Sequence, residues 1–247
     1  MAGEKILVVI PAYNEEKSLR KSVEALVSIL RTSDILIVND GSLDGTQQVA
    51  ASLARELPAL SLLSLPINSG IGITVQTGLL YARSKGYDYV IQYDGDGQHD
   101  PVSIPAMLRK SVEEKLDLCV GSRFLKPQAG DFLSTGLRRV GIQFFSLLIS
   151  SMTGIRVTDP TSGFRVYGKR AIDLFSGYYP DDYPEPEALF WCVRNGLRVG
   201  EVPARMHERA GGKSSIQFMG SIYYMIKVTV AILVEKIRSR EMIKDDS

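Results

Sequence analysis

The sequence predicts an α/β fold, a parallel sheet covered by helices on both faces, and three observations carry that prediction. Short apolar runs rich in β-branched residues alternate with helical patterns through the first half of the chain. Turn residues stand at the joins. Three of the early strands run straight into polar loops, PAYNEE, NDGSLDGT and DGDGQHD. Ligands of open α/β sheets bind at the carboxyl ends of strands, so these loops are expected to converge on one crevice.

Taken in order, Lys5 to Ile10 reads as the first strand and 17–31 as the first helix. Strands at Ile35 to Val38, Leu60 to Leu65, Tyr89 to Tyr93 and Leu116 to Val120 follow, separated by helical patterns at 45–56, 72–85 and 102–114. After about residue 125 the alternation breaks down. Thr135 to Met152 reads as a long apolar helix, and TDPTSGFR and YYPDDYPEPEALF read as loops of a substrate-side elaboration. With no repeat and no low-complexity linker, 1–215 are expected to form one domain and 216–247 a C-terminal helical extension.

Composition narrows the class. The 247 residues are 45% hydrophobic and 23% charged, values of a folded globular chain and not of a disordered or fibrous one. Lys and Arg total 29 against 28 for Asp and Glu, which gives no electrostatic reason to expect nucleic acid as a partner. Cys119 and Cys192 lie in apolar stretches and read as buried thiols. The opening MAGEKILVVIPAYNEE turns acidic before the apolar core of an export signal is complete, so a cytoplasmic location is expected.

The DGDGQHD loop is the strongest chemical signal. A calcium-loop reading fails, because His99 and Pro105 stand where an EF-hand needs its glycine and its bidentate glutamate. A solvated turn is the plain alternative. Against it, two carboxylates at the end of a buried strand repel each other unless a cation lies between them. Mg²⁺ or Mn²⁺ takes hard oxygen ligands and is often completed by substrate phosphates, so Asp94 and Asp96 point to a metal-bound diphosphate. Gln98 adds a carbonyl oxygen. Gly70-Ile71-Gly72 is not a dinucleotide fingerprint, since Val75 takes the place of the third glycine.

These segments together resemble the family 2 glycosyltransferases of the GT-A fold over about residues 5–215. IPAYNEE and VNDGSLDGT look like the family's nucleotide-binding segments, and VGSRF, TSGFRVY and ERAGGKSS follow in the family's order. DGDGQHDP is most similar to the D-x-D-x-Q-H-x-P form of the dolichol-phosphate mannosyltransferase-like branch, the polyprenyl-phosphate sugar transferases. The resemblance implies a mixed, mainly parallel sheet, a nucleotide-sugar donor and an inverting, metal-dependent transfer. Two positions depart from the branch: Ile71 stands where a lysine is common, and Glu185 is an extra acid beside the family's acidic position, matched here to Glu187.

The resemblance also distributes roles. Asp94, Asp96 and Gln98 would hold Mg²⁺ or Mn²⁺, and Pro11, Tyr13, Glu15, Asp40 and Asp94 would bind the donor. Asp40 reads equally as a turn or capping acid, and Glu15 as a helix-start acid. Arg123, matched to the family's G-S-R arginine, is the first candidate for a phosphate contact, and Arg209 the second. Arg123, Arg138 and Arg139 read equally as solvated or paired with surface acids, His99 as a hydrogen-bonding loop residue, and His207 as having no metal role. Ser162, Gly163 and Arg165 fit an acceptor edge, with a structural role as the alternative for Arg165. Glu187, Glu185 and Asp159 are the candidate bases, with a turn role as the alternative for Asp159. A saccharide hydroxyl requires such a base, whereas a lipid phosphate is already anionic and does not. The acceptor is thus a polyprenyl phosphate or a lipid-linked saccharide, with the first favoured. A silent nucleotide-binding scaffold is disfavoured by the intact Asp94 and Asp96, and a sugar nucleotidyltransferase by the acidic PAYNEE.

Residues 216–240 carry an apolar stripe at 219, 222, 226, 230, 233 and 237, broken by Lys227. The run falls short of the about 20 apolar residues that cross a bilayer. It reads as an interfacial helix contacting a membrane surface or a small membrane-protein partner, or as core packing or a seam between copies. A polyprenyl acceptor places the enzyme peripherally at the inner face of the cell membrane.

Overall fold

The computed structural model describes residues 3–30, 32–125, 136–180, 184–207, 227 and 229–230. Its centre is a seven-stranded sheet built from β1 (Ile6–Ala12), β2 (Asp34–Asp40), β3 (Leu60–Leu65), β4 (Tyr89–Gln92), β5 (Leu118–Ser122), β6 (Arg165–Gly168) and β7 (Val199–Pro203), in the order β3-β2-β1-β4-β6-β5-β7. β1, β2, β3 and β4 are parallel, and so are β5 and β7. β6 runs antiparallel to both of its neighbours. The expected α/β class holds: the sheet is mixed and mainly parallel.

Helices α1 (Leu19–Ile29), α2 (Thr46–Glu56), α3 (Ile71–Lys85), α4 (Ile104–Glu113), α5 (Gly136–Thr153), α6 (Lys169–Gly177) and α7 (Pro184–Arg194) cover the sheet. Successive residues of β1 alternate between two cores, as the pleat requires. Leu7 and Val9 pack with Leu79, Phe145, Phe175 and Leu189 on one face. Val8 and Ile10 pack with Leu19, Leu26, Leu53 and Met107 on the other. Burial on both faces explains the continuous apolar run ILVVI. α3 packs so closely that a Cβ on Gly78 would stand 2.4 Å from a Val9 methyl. The helix ends at Gly86, left-handed at φ 69, whose N–H reaches back to the carbonyls of Ala82 and Arg83.

The structure departs from the sequence reading beyond residue 125. YYPDDYPEPEALF is not all loop, because PEPEALF is the first part of α7. A proline at a helix start loses no intrahelical hydrogen bond, and Glu185 and Glu187 in the first turn suit the positive end of the helix dipole. TDPTSGFR likewise ends inside β6, whose first residue is Arg165. Of the expected C-terminal extension only Lys227, Thr229 and Val230 are described, all helical, and the remainder of 216–247 lies outside the described residues. Among the described residues no helix is long and apolar enough to cross a membrane.

Candidate active site

β1 lies between β2 and β4, so the loops leaving the carboxyl ends of these three strands are neighbours. The first two are laced together. Asn14, held at φ 56, donates its N–H to Ser42 Oγ at 3.0 Å and accepts from the Leu43 N–H at 2.9 Å. Glu15 N–H donates to Thr46 Oγ1 at 2.7 Å, and Asp44 accepts the Thr46 N–H at 3.0 Å in the turn that leads into α2. Pro11 is a buried residue of β1, whereas Tyr13 is exposed beside the loop. The Glu15 carboxylate accepts from Ser18 Oγ at the start of α1. Buried Asp40 spans from β2 to the N-terminus of α3, accepting from the N–H groups of Ser69 at 2.7 Å and Gly70 at 2.9 Å. The capping role read for Asp40 is therefore occupied.

The acid knot follows β4. Asp96 is buried and its Oδ1 accepts the Gln98 N–H at 2.9 Å, a turn that aims one carboxylate. Asp94 is partly exposed and borders the buried His99. The Asp94 N–H donates to His99 Nδ1 at 3.3 Å, which puts the imidazole proton on Nε2, 3.4 Å from Asp94 Oδ2. Burial pushes this imidazole down from 6.5 to about 4, outweighing the attraction of Asp96, so the ring is neutral at pH 7. It stacks on Phe164 with centroids 4.7 Å apart, and Tyr93 Oη donates to its backbone carbonyl at 3.1 Å. Asp100 caps the 3-10 turn Pro101–Ser103. On the far side, Gln98 Nε2 donates to the His207 carbonyl at 3.4 Å while the His207 N–H donates to the Gln98 carbonyl at 2.8 Å.

The loop 160–163 presses on this knot. A Cβ on Gly163 would stand 3.1 Å from Gln92 Nε2 and 3.5 Å from Asp94 Oδ2, so glycine permits the approach. Ser162 and Arg165, expected at an acceptor edge, are turned inward. Ser162 Oγ donates to the Gly121 carbonyl at 2.7 Å, and Arg165 is the largest fully buried side chain among the described residues. Arg123, expected on a phosphate, is buried in a two-pronged ion pair with Asp159, Nε to Oδ2 and Nη2 to Oδ1 both 2.7 Å. Asp159, read as a competing base, has no exposed surface and gives both oxygens to this arginine. Arg209 lies outside the described residues, and Glu185 and Glu187 sit half-buried in the first turn of α7.

One supporting residue had escaped notice. Glu201 of β7 accepts from the N–H groups of Thr158 and Asp159 at 2.8 and 2.9 Å and so fixes the segment that carries Asp159. Burial raises its carboxyl above the usual range, more than these bonds lower it. An acid in the otherwise apolar VGEVP strand was the available signal. Among the described residues no group of three or more His, Cys, Asp or Glu side chains is arranged to hold a metal, and the knot supplies two carboxylates and one amide.

A mainly parallel sheet with paired acids beyond its central strands, beside laced loops from β1 and β2, defines a glycosyltransferase of the GT-A fold. Residues 7–175 match the Glycosyl transferase family 2 profile, and the chain belongs to that family. It is 32% identical over 216 residues to the undecaprenyl-phosphate mannosyltransferase of Micrococcus luteus, spanning 86% of this chain and 87% of that protein. It is 31% identical over 220 residues to the UDP-N-acetylglucosamine–dolichyl-phosphate N-acetylglucosaminyltransferase of Methanococcus voltae, spanning 83% and 86%. These relatives lie in the branch that DGDGQHDP indicated. The fold is shared with glucosyl-3-phosphoglycerate synthase of Mycobacterium tuberculosis, solved with Mn²⁺, UDP and glucosyl-3-phosphoglycerate, at a TM-score of 0.69 and 17% identity over 95% of this chain and 80% of that one.

Proposed function

We propose that this glycosyltransferase moves a sugar from a nucleotide-sugar donor to a polyprenyl phosphate with inversion, using Mg²⁺ or Mn²⁺ held by Asp94, Asp96 and Gln98. The acid knot carries the reading. Two carboxylates, one pre-aimed by its Asx turn and one partly exposed, plus an amide oxygen form a hard donor set that leaves positions for diphosphate oxygens. When bound, the cation supplies Lewis-acid stabilisation of the charge on the departing diphosphate.

The chain's own residues do the remainder. Neutral His99 braces Asp94, and the Gln98–His207 bonds close the knot from the other side. Tyr13, Glu15, Pro11 and Asp40 line the donor side, where hydrogen bonds lace the two loops together, and such preorganisation lowers the ordering cost of binding. Arg123 is neutralised by Asp159 and serves to hold the 158–161 segment. The phosphate contact therefore falls to Arg209. A phosphate acceptor attacks as an anion, so no general base is needed, and Glu187 and Glu185 order the acceptor side. Gly163 gives the acceptor edge its close approach to Asp94. The names of the relatives, two of which transfer sugars to undecaprenyl or dolichyl phosphate, support this acceptor. A lipid acceptor places the enzyme at a membrane surface, and 216–240 is the segment whose apolar stripe suits that contact or a seam between copies.

Calorimetry with UDP-, GDP- and dTDP-sugars tests the reading. One donor should bind only with Mg²⁺ or Mn²⁺ present, and Asp94→Asn and Asp96→Asn should each abolish the metal-dependent part while circular dichroism stays unchanged. Unaltered metal-dependent affinity in both variants would remove the acid knot from the metal site.

A further inference from the structure

Arg165 is a cation at 0% exposure whose hydrogen-bond partners are all backbone carbonyls: Ser162 at 2.8 Å, Pro160 at 3.2 Å and Glu185 at 2.7 Å. Its Nη1 has no hydrogen-bond partner, and neither has Nε2 of Gln92, the residue directly opposite on β4. Such an arrangement is a poor device for stability. Burying a charge without a hydrogen-bonded counter-ion is costly, and an apolar side chain of similar volume serves packing as well or better. What the arginine does achieve is a connection. Two of its carbonyl partners belong to the loop whose Gly163 abuts Asp94, and the third belongs to the first turn of α7, which carries Glu185 and Glu187. A planar guanidinium fixes directions that a point charge does not.

We infer that Arg165 is a positioning residue that locks the start of α7 to the 160–163 loop and so sets the acceptor-side wall at a fixed distance from the metal-side carboxylates. It touches neither donor nor acceptor. The proposal rests on the acceptor side lying at Glu185 and Glu187, as argued above, but the locking itself is measurable without turnover.

The test uses Arg165→Lys, which keeps the charge and loses the fork, and Arg165→Gln, which keeps one amide donor. Hydrogen exchange should quicken in α7 over 188–191 and stay unchanged in β1 and β4. Donor affinity with Mn²⁺ should remain within about 2-fold of wild type, while transfer to polyprenyl phosphate falls by about 10-fold to 100-fold, the usual result of a small misplacement of reacting groups. Three outcomes overturn the proposal. Unchanged exchange in α7 shows that Arg165 locks nothing. Donor affinity and transfer falling together show general support of the fold, as does failure of both variants to fold. If wild-type protein transfers nothing to polyprenyl phosphate, the acceptor assignment fails, and the exchange and donor-binding results still decide whether Arg165 fixes α7.

Discussion

Acidification should destabilise the protein through His99 in particular. In the unfolded chain the imidazole titrates at 6.5, whereas burial holds it at about 4 in the folded protein. Between those values the unfolded chain binds a proton that the folded chain does not, so stability falls as the pH falls through this window. A separation of that size corresponds to about 3 kcal/mol by pH 4, with about half of it gone by pH 5.5. Carboxylates titrate at the acid end of the same range, so the measurement is a comparison with His99→Gln, which keeps an amide donor and does not titrate. Urea unfolding in metal-free buffer, followed by circular dichroism from about pH 7 to pH 4, gives both curves. Loss of the ring contact with Phe164 displaces the variant's curve by a constant, whereas the proton term changes its slope. The wild type should lose about 3 kcal/mol more than the variant across the window. Parallel curves would refute the neutral, desolvated imidazole and with it the bracing assigned to His99.

Three further outcomes are expected, two from named contacts and one from the apolar stripe of 216–240. Asp159→Asn strips the charge from the partner of buried Arg123 and should cost about 3–5 kcal/mol in urea unfolding, part of which Arg123→Met in the same chain restores. Gly78→Ala gains about 1 kcal/mol of helix propensity but drives a methyl to within 2.4 Å of Val9; overpacking of about 1–3 kcal/mol wins, and the melting temperature should drop. Removal of 216–247 should weaken flotation with anionic liposomes, and an unchanged floating fraction would move membrane contact away from that segment.

How much of this was legible in the sequence depends on how local each determinant is. β3, an edge strand with exposed Ser61 and Ser64, still coincides with the run from Leu60 to Leu65, and the other early strands agree within a few residues, because in β1 and β2 burial on both faces writes itself as consecutive apolar letters. β6 escaped, being four residues long and headed by an arginine that no periodicity marks as buried. α7 was hidden by two prolines and two acids that together look like a turn, although proline is well placed in a first helical turn. The acid knot was legible because its members are contiguous from Asp94 to Asp100. Whether Arg123 meets a phosphate or an acid stays open in the sequence, because its partner Asp159 lies 36 residues away and meets it only after antiparallel β6 is inserted between β4 and β5. For Arg165 the choice between an acceptor edge and a structural role stays open in the sequence for the same reason, until the strand it heads is known to lie inside the sheet.

Transfer itself tests the central claim most directly. Wild-type protein is incubated with a panel of labelled nucleotide sugars, Mg²⁺ or Mn²⁺, and either polyprenyl phosphate or a polyprenyl-linked saccharide, and the lipid products are separated. The account predicts a labelled polyprenyl-phosphate sugar from one donor, absent with chelator, absent in Asp94→Asn, and formed at a rate that Glu187→Gln lowers far less than the 10²- to 10⁴-fold typical of a lost general base, taken as an order-of-magnitude range. Label appearing only on the saccharide acceptor, and lost on that scale in Glu187→Gln, would contradict it and make Glu187 the base.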